Sequence, residues 1–331
     1  LEALTDLLLE PNGAAEKFLV MLIAVALFVA VMAVIVFVID RPRNLPDWVA
    51  FAAFAGPAAL LVMFGLVYPA LRTVYQSFFD RTGDAFVGFD NFSTIFTGAE
   101  FRTVLVNTVV WVVLVPLMST FIGLVYAVLV DRTRFEALAK ALIFLPMAIS
   151  LVGATIIWRF VYEYRPAGQE QIGLLNQLLV WVGLEPYQFI ISQPWNNFFL
   201  VVIFVWVQAG FAMTVLSAAI KAVPDDIIEA ARLDGVNGVQ MFTNVTIPAI
   251  RPALVVVLTT IAIVSLKVFD IVRTMTNGNF GTGVVASEFY DQAFRQFNAG
   301  IGAALAVILF ILVVPIVIYN IRQMRLAEEI R

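Results

Sequence analysis

Polar positions in this chain are bunched into short stretches, and what lies between them is almost continuously apolar. Seven apolar runs can be read: Phe18–Ile39, Val49–Leu71, Val104–Val130, Ala139–Val161, Asn197–Ala219, Ala253–Ile271 and Gly300–Asn320. Each is close to, or longer than, the ~20 residues that a helix needs to cross a hydrocarbon core roughly 30 Å thick. The pattern predicts an all-α, polytopic membrane helix bundle with about seven transmembrane helices.

The runs carry their own punctuation. Pro57, Pro116, Pro146 and Pro315 fall inside them. Each would break a helix in water, but in a bundle neighbouring helices can satisfy the freed carbonyls, and each reads as a local kink. Trp48, Tyr68, Tyr75, Trp158, Tyr162, Trp195 and Tyr319 stand near run ends, where an interfacial aromatic belt is expected. The first run is apolar throughout and reads as a lipid-facing anchor. It is too long for a signal-peptide core and follows an acidic segment (Glu2, Asp6, Glu10, Glu16) rather than a basic one, so it is expected to be retained.

Charge orients the bundle. The short connector Asp131–Lys140 holds Arg132, Arg134 and Lys140, and Asp40–Asp47 holds Arg41 and Arg43. Seven spans put both on one side, with Arg322, Arg325 and Arg331 at the C-terminus. The positive-inside tendency makes that side cytoplasmic, together with the segment from Pro224 to Pro248, and leaves the N-terminus outside. The outer segments, Arg72–Phe101, Tyr162–Asn196 and roughly Thr274–Asn298, hold turn formers and aromatics. Arg72, Arg81, Arg102, Arg165 and Arg295 lie there too, so the charge bias is weak.

Composition then removes function classes. The chain is 62% hydrophobic and 13% charged, against about 25% charged in soluble proteins, so a water-soluble body is a poor reading. There is no Cys and no His, which excludes disulfides, thiolate chemistry and the commonest general base and metal ligand. Every Lys follows Glu16, Ala139, Ile220 or Leu266, so the Gly-Lys-Ser/Thr of a phosphate-binding loop is absent. If nucleotide drives this protein, another chain hydrolyses it. The net charge of −4 comes with no basic cluster for nucleic acid.

The most informative polar segment runs from Lys221 to Pro248. Pro224 ends the preceding span, and Asp225 or Asp226 is expected to cap a new helix. Gly235 is placed as its stop. Asn237 can open a second short helix through Val239 and Phe242, and Pro248 closes the unit. Two short helices make a rigid projection able to transmit a partner's motion; a surface hairpin that merely connects two spans would look the same at this level.

The spacing within that loop resembles the Glu-Ala-Ala (EAA) signature of permease subunits of binding-protein-dependent ABC importers. Glu229-Ala230-Ala231, Gly235 and Pro248 fall on its positions, Val245 and Ile247 replace an Ile and a Leu, and Asp234 precedes the Gly. The resemblance implies that Glu229, Ala230, Ala231, Asp234 and Gly235 form a coupling helix that docks on an ATPase subunit. Gly88-Phe89-Asp90-Asn91-Phe92, Asn107-Thr108, Leu145-Pro146 and Gly173-Leu174-Leu175-Asn176 are similar to the sugar-permease branch. Within it, Phe144–Ser150, Gln208–Met213 and Leu266–Val272 resemble the α-glucoside permeases. Most sugar permeases then carry Thr-x-Gly-Gly-Pro; this chain departs with Thr276-Asn277-Gly278-Asn279-Phe280-Gly281-Thr282. The likeness implies an N-terminal segment 1–47 with one extra span and a transport domain 48–331, with its core at about 101–320 and the coupling loop at 221–248. It implies a bacterial inner-membrane subunit with no cofactor of its own, ATP and Mg being bound by two partner ATPase subunits. A second homologous permease and an extracytoplasmic sugar-binding protein would complete the assembly.

For the substrate, intramembrane polar and aromatic residues are the candidates, because polar groups in spans more often face the bundle interior. Trp206, Gln208 and Phe211 lie on one span flanking the loop; Thr259, Thr260, Ser265 and Lys267 lie on the other. By resemblance to the maltose type, Val207, Gln208, Phe211, Ile261, Ser265 and Val268 match a pocket lining. Gln208 and Ser265 would bond sugar hydroxyls, and Trp206 or Phe211 would stack on a ring. Against this, a Ser or Thr in a span is usually bonded to its own helix or a neighbour, and Lys267 is spaced to pair with Asp270. A permease for another small polar solute such as glycerol phosphate, an ion-coupled secondary transporter, which would need inverted repeats, and an intramembrane enzyme are the alternatives.

Overall fold

The computed structural model describes residues 13–40, 47–131 and 133–329. The acidic residues Glu2, Asp6 and Glu10 and the basic residues Arg41, Arg43, Arg132 and Arg331 lie outside the described residues. Those described are helical almost throughout, and their only extended pairing is an isolated bridge between Phe79 and Phe86.

The chain divides into two compact units, Leu1–Arg72 and Thr73–Arg331. In the first, Ala14–Asp40 (α1) is an unbroken 27-residue helix. It is apolar on every face, which is the signature of a helix solvated by lipid or buried in a core. Asp47–Val62 (α2) runs straight through Pro57, widens into a π turn at Met63–Val67 and continues as Tyr68–Gln76 (α3).

The second unit contains Asp90–Thr97 (α4), Ala99–Val130 (α5), Glu136–Phe144 (α6), Leu151–Val161 (α7), Leu174–Trp181 (α8), Asn196–Lys221 (α9), Asp225–Leu233 (α10), Arg251–Leu266 (α11), Asp270–Met275 (α12), Val285–Tyr290 (α13) and Ala299–Glu329 (α14). Its centre is the pair α5 and α9, with α11 packed against α5 and α14. Trp111 and Val115 of α5, Leu200, Ile203, Phe204, Met213 and Leu216 of α9, and Val257 and Ile261 of α11 meet in one core. Lipid supplies little hydrophobic drive for helices to associate, so close backbone approach through small residues matters more. Gly123 of α5 is such a point: a Cβ there would stand 2.6 Å from Ala212 Cβ and Met213 N of α9.

Among the described residues, five helices are long and apolar enough to cross a membrane unaided, and the count reaches seven only if two bent helix pairs each make one span. The fourth run, read as continuous over Ala139–Val161, is bent by 104°. Pro146 sits in the first turn of a 3₁₀ segment, Leu145–Ala148. A proline removes a donor and disfavours helix in the residue before it. Ser150 then caps the new helix α7 by accepting from Gly153 N at 3.0 Å. The sixth run stops at Leu266, and the chain restarts as α12 at Asp270. Lys267 and Asp270 therefore flank a helix break instead of sharing a helix face, and the expected ion pair is not formed. Pro116 and Pro315 stay within continuous helices.

Two of the expected belt aromatics are packed inward. Tyr162 is almost fully buried and donates its hydroxyl to Phe199 O at 2.9 Å. Trp158 packs on the same core, tilted against Tyr162. Trp48, Tyr68, Tyr75, Trp195 and Tyr319 are exposed, as an interface belt requires.

Candidate functional site: a helical projection and a membrane cavity

The loop between α9 and α11 folds as two short helical pieces. Pro224 occupies the N-cap of α10, and Asp225 and Asp226 fall in its first turn. Neither aspartate is the cap that the sequence reading assigned. Both still face the positive end of the helix dipole. The C-terminus closes in a Schellman arrangement: Val236 N donates to Ala231 O at 3.3 Å and Gly235 N to Arg232 O at 3.1 Å. Gly235 stands at φ +78°, a conformation that costs a side-chain-bearing residue energy and glycine almost none. Asn237 opens the second piece with a reciprocal capping box, Gln240 N to Asn237 Oδ1 and Asn237 N to Gln240 Oε1, both 2.9 Å. This piece is Gly238–Gln240, a π turn over Met241–Thr246, and Ile247–Ala249, after which the axis bends by 69° into α11.

α10 packs against the Met241–Thr246 turn. Its other side is open: Glu229, Ala230, Arg232, Asp234 and Gly235 are exposed, and Ala231 is half-buried. Leu233 is 89% exposed and Val239, across the turn, 73%. Small and apolar groups with flanking charges are presented to the outside on a firmly capped support. The structure thus brings Glu229, Ala230, Ala231, Asp234 and Gly235 together on one helical turn and its stop.

The membrane-interior candidates are scattered. Trp206 lines a cavity of about 370 Å³ at the bend between α6 and α7, with Tyr126, Pro146, Trp158 and Ala209. Its ring meets Trp158 edge to face at 5.8 Å. The Gln208 amide is half-buried and, among the described residues, makes no hydrogen bond within the chain. Phe211 is half-buried and packs on the main core. Ser265 is fully buried and donates to Ile261 O at 2.8 Å, so its hydroxyl is spent on its own helix rather than turned to a pocket. Lys267 is exposed at the C-cap of α11. Of the five, Trp206 alone lines this cavity; Val207, Ile261 and Val268 are buried in the core.

A polar network not assigned from sequence joins α5, α9 and the loop after α12. Trp111 Nε1 donates to Asn197 Oδ1 at 2.8 Å, and Asn197 Nδ2 to Asn107 Oδ1 at 3.1 Å. Asn107 Nδ2 donates to Gly281 O at 2.7 Å and Gly283 O at 2.9 Å, and Asn196 Nδ2 to Phe280 O at 2.9 Å. Thr108 Oγ1 accepts from Val285 N at 2.9 Å. The segment that departs from the Thr-x-Gly-Gly-Pro pattern is therefore held by buried amides from two spans. Asparagines near span ends were the available signal.

Residues 101–325 match the family described as binding-protein-dependent transport system inner membrane component. The chain is 50% identical over 271 residues to the alpha-glucoside transport system permease protein AglF of Rhizobium meliloti (strain 1021), covering 82% of this chain and 81% of that one. It is 49% identical over 278 residues to the osmoprotective compounds uptake permease protein GgtC of Synechocystis sp. (strain ATCC 27184 / PCC 6803 / Kazusa), covering 84% of this chain and all of the relative. Its fold matches a chain of a bacterial ABC transporter involved in the import of the acidic polysaccharide alginate. There the TM-score is 0.71 at 23% identity, over 84% of this chain and 96% of that one. A helical bundle with a capped, exposed projection between two spans, and relatives alike over most of their length, lead to one assignment: the chain belongs to the inner-membrane permease components of binding-protein-dependent ABC transport systems, which are transport subunits and not enzymes.

Proposed function

We propose that this chain is one permease subunit of an ATP-driven sugar importer, passing an α-glucoside of the maltose, trehalose or sucrose kind into the cytoplasm by alternating access. The observation that carries the reading is the rigid α10 projection with Glu229, Ala230 and Gly235 exposed on it and Ala231 half-buried between them, in a chain half identical to an α-glucoside permease. In this reading α10 and the C-terminus are cytoplasmic and the N-terminus is outside. An ATPase subunit carrying ATP and Mg covers α10. A second homologous permease completes the pathway, two ATPase subunits power it, and an external binding protein delivers the sugar. Gln208 and Trp206 are the side chains best placed to meet sugar in the membrane. Phe211, Ser265 and Lys267 contribute only if the bundle rearranges around them.

The GgtC likeness supports a second reading, in which the cargo is an osmoprotective solute. The deciding experiment is ATPase activity of the reconstituted complex with its binding protein, screened over maltose, trehalose, sucrose and osmoprotective solutes lacking a sugar ring. Stimulation by a disaccharide α-glucoside supports the first reading. Stimulation by the non-sugar solutes alone overturns it and leaves the permease assignment intact.

A further inference from the structure

Just above the coupling projection, five charged and polar side chains from three helices meet. Lys140 Nζ of α6 donates to Asp131 Oδ1, at the C-cap of α5, at 2.6 Å. It also donates to Glu136 Oε1 at 2.8 Å and to Ser217 Oγ of α9. Ser217 Oγ donates in turn to Asp131 Oδ1 at 2.7 Å. Lys221, the last residue of α9, pairs with Glu136 and stands 3.9 Å from Asp131 Oδ1. The Asp131 side chain is only 9% exposed, and Ser217 is buried. Lys221 precedes Pro224, the N-cap of α10, by three residues.

A carboxylate taken as far out of water as Asp131 is costly unless its cations and donors are well placed, and removing them leaves it stranded. Such a cluster is therefore sharply dependent on geometry. It holds when the ends of α5, α6 and α9 keep one relative position and fails when they separate. Among the described residues Asp131 Oδ2 is buried without a hydrogen-bond partner, so the cluster still has an acceptor to offer Lys221 if α9 shifts by about one hydrogen-bond length.

We propose that Asp131, Lys140 and Ser217 form an ionic clamp that makes α10 and the ends of α5, α6 and α9 move as one block. Asp131 and Lys140 are then positioning residues for coupling: they pass a push on α10 to α5 and to the bent pair α6–α7, which lines the cavity. The inference rests on α10 being the ATPase-docking element.

The test uses the complete reconstituted complex with trehalose-loaded binding protein. The double variant D131N/K140M removes the carboxylate and its cation together, so the Asp131 position is not left charged and unpaired, and the bundle is expected to fold and assemble. The number of trehalose molecules moved per ATP hydrolysed should fall at least tenfold, whereas K140R, which keeps the cation, should stay near wild type. The chain has no native Cys, so spin labels at Leu138→Cys on α6 and at Asn244→Cys on the turn that packs against α10 report the block directly. In the wild type their distance should be unchanged between nucleotide-free and ATP-trapped states; in D131N/K140M it should shift or broaden. A normal transport ratio in an assembled D131N/K140M complex, or a wild-type label distance that changes with nucleotide, overturns the clamp alone. Failure of the wild-type chain to bind an ATPase subunit overturns the docking reading and the clamp with it.

Discussion

At the scale of single residues, the closest contacts are where substitutions act most sharply. Gly123 has no room for a side chain against Ala212 and Met213. Gly123→Val forces the two central helices apart, and overpacking of this kind costs about 1–3 kcal/mol. The expected result is a lower Tm of the detergent-purified protein, with Gly56→Ala, where nothing lies within 4 Å of a Cβ, as the neutral control. Glu288 of α13 makes a pH prediction. Burial pushes its carboxyl above the ordinary range; a hydrogen bond from Gln292 opposes this, and nearby Glu100 and Asp291 add to it. A carboxyl raised on folding holds its proton more tightly in the folded state. Its contribution to stability is therefore present at acid pH and lost as pH rises from the ordinary carboxylate value through the raised one. Glu288→Gln imitates the protonated form, so it should raise Tm by about 2–4 °C at neutral pH and lose that advantage on acidification. Neither effect was legible in the sequence, because a glycine's neighbours and a carboxylate's burial come from other helices.

At the scale of elements, the projection between α9 and α11 depends on its ends. Asn237→Ala removes a capping box whose loss costs about 1 kcal/mol. Hydrogen exchange at Gln240 and Met241 should speed up severalfold while the amides of α9 stay protected. The stop at Gly235 and the start at Asn237 were readable from sequence, because capping is local chemistry between residues three or four apart. The cap of α10 lies one residue before Asp225 and two before Asp226, the two expected caps: Pro224 holds that position, which moves the aspartates into the first turn. The break at Pro146 was foreseen only as a kink. A proline says that a helix is interrupted, but the 104° bend depends on the packing of α9 against this corner. A Cβ on Gly210 would lie 2.6 Å from Ile143 O. The π turns at Met63–Val67 and Met241–Thr246 had no sequence signal, since one extra residue per turn leaves the apolar pattern almost unchanged.

At the scale of the whole molecule, the exposed turn of α10 is where this chain meets its energy source in the proposed assembly. Glu229→Ala should cut stimulated ATPase activity and transport at least tenfold while leaving the affinity for the binding protein unchanged, since in the proposed assembly that partner docks on the opposite side. Leu233→Asp places a charge on the most exposed apolar residue of the projection and should release the ATPase subunit in pull-downs of the purified complex. Retention of the ATPase by Leu233→Asp with undiminished coupling would argue against α10 as the docking surface.

The division between what the chain's order reveals and what folding adds follows from the range of the forces involved. Membrane residence, helical class and the two-part loop between α9 and α11 rest on periodicity, run length and short-range capping, and all were visible in the sequence. So was the place of Trp206, Gln208 and Ser265 within spans. Which way those side chains turn was not. Rotation of a helix about its axis is set by the neighbours it packs against, and an all-round apolar helix carries no stripe to predict it. Packing therefore turned Trp206 to a cavity and Ser265 to its own backbone. It also assembled the Asn107–Asn197–Trp111 network and the Asp131–Lys140–Ser217 cluster by bringing α9 residues onto partners 77 to 90 positions away.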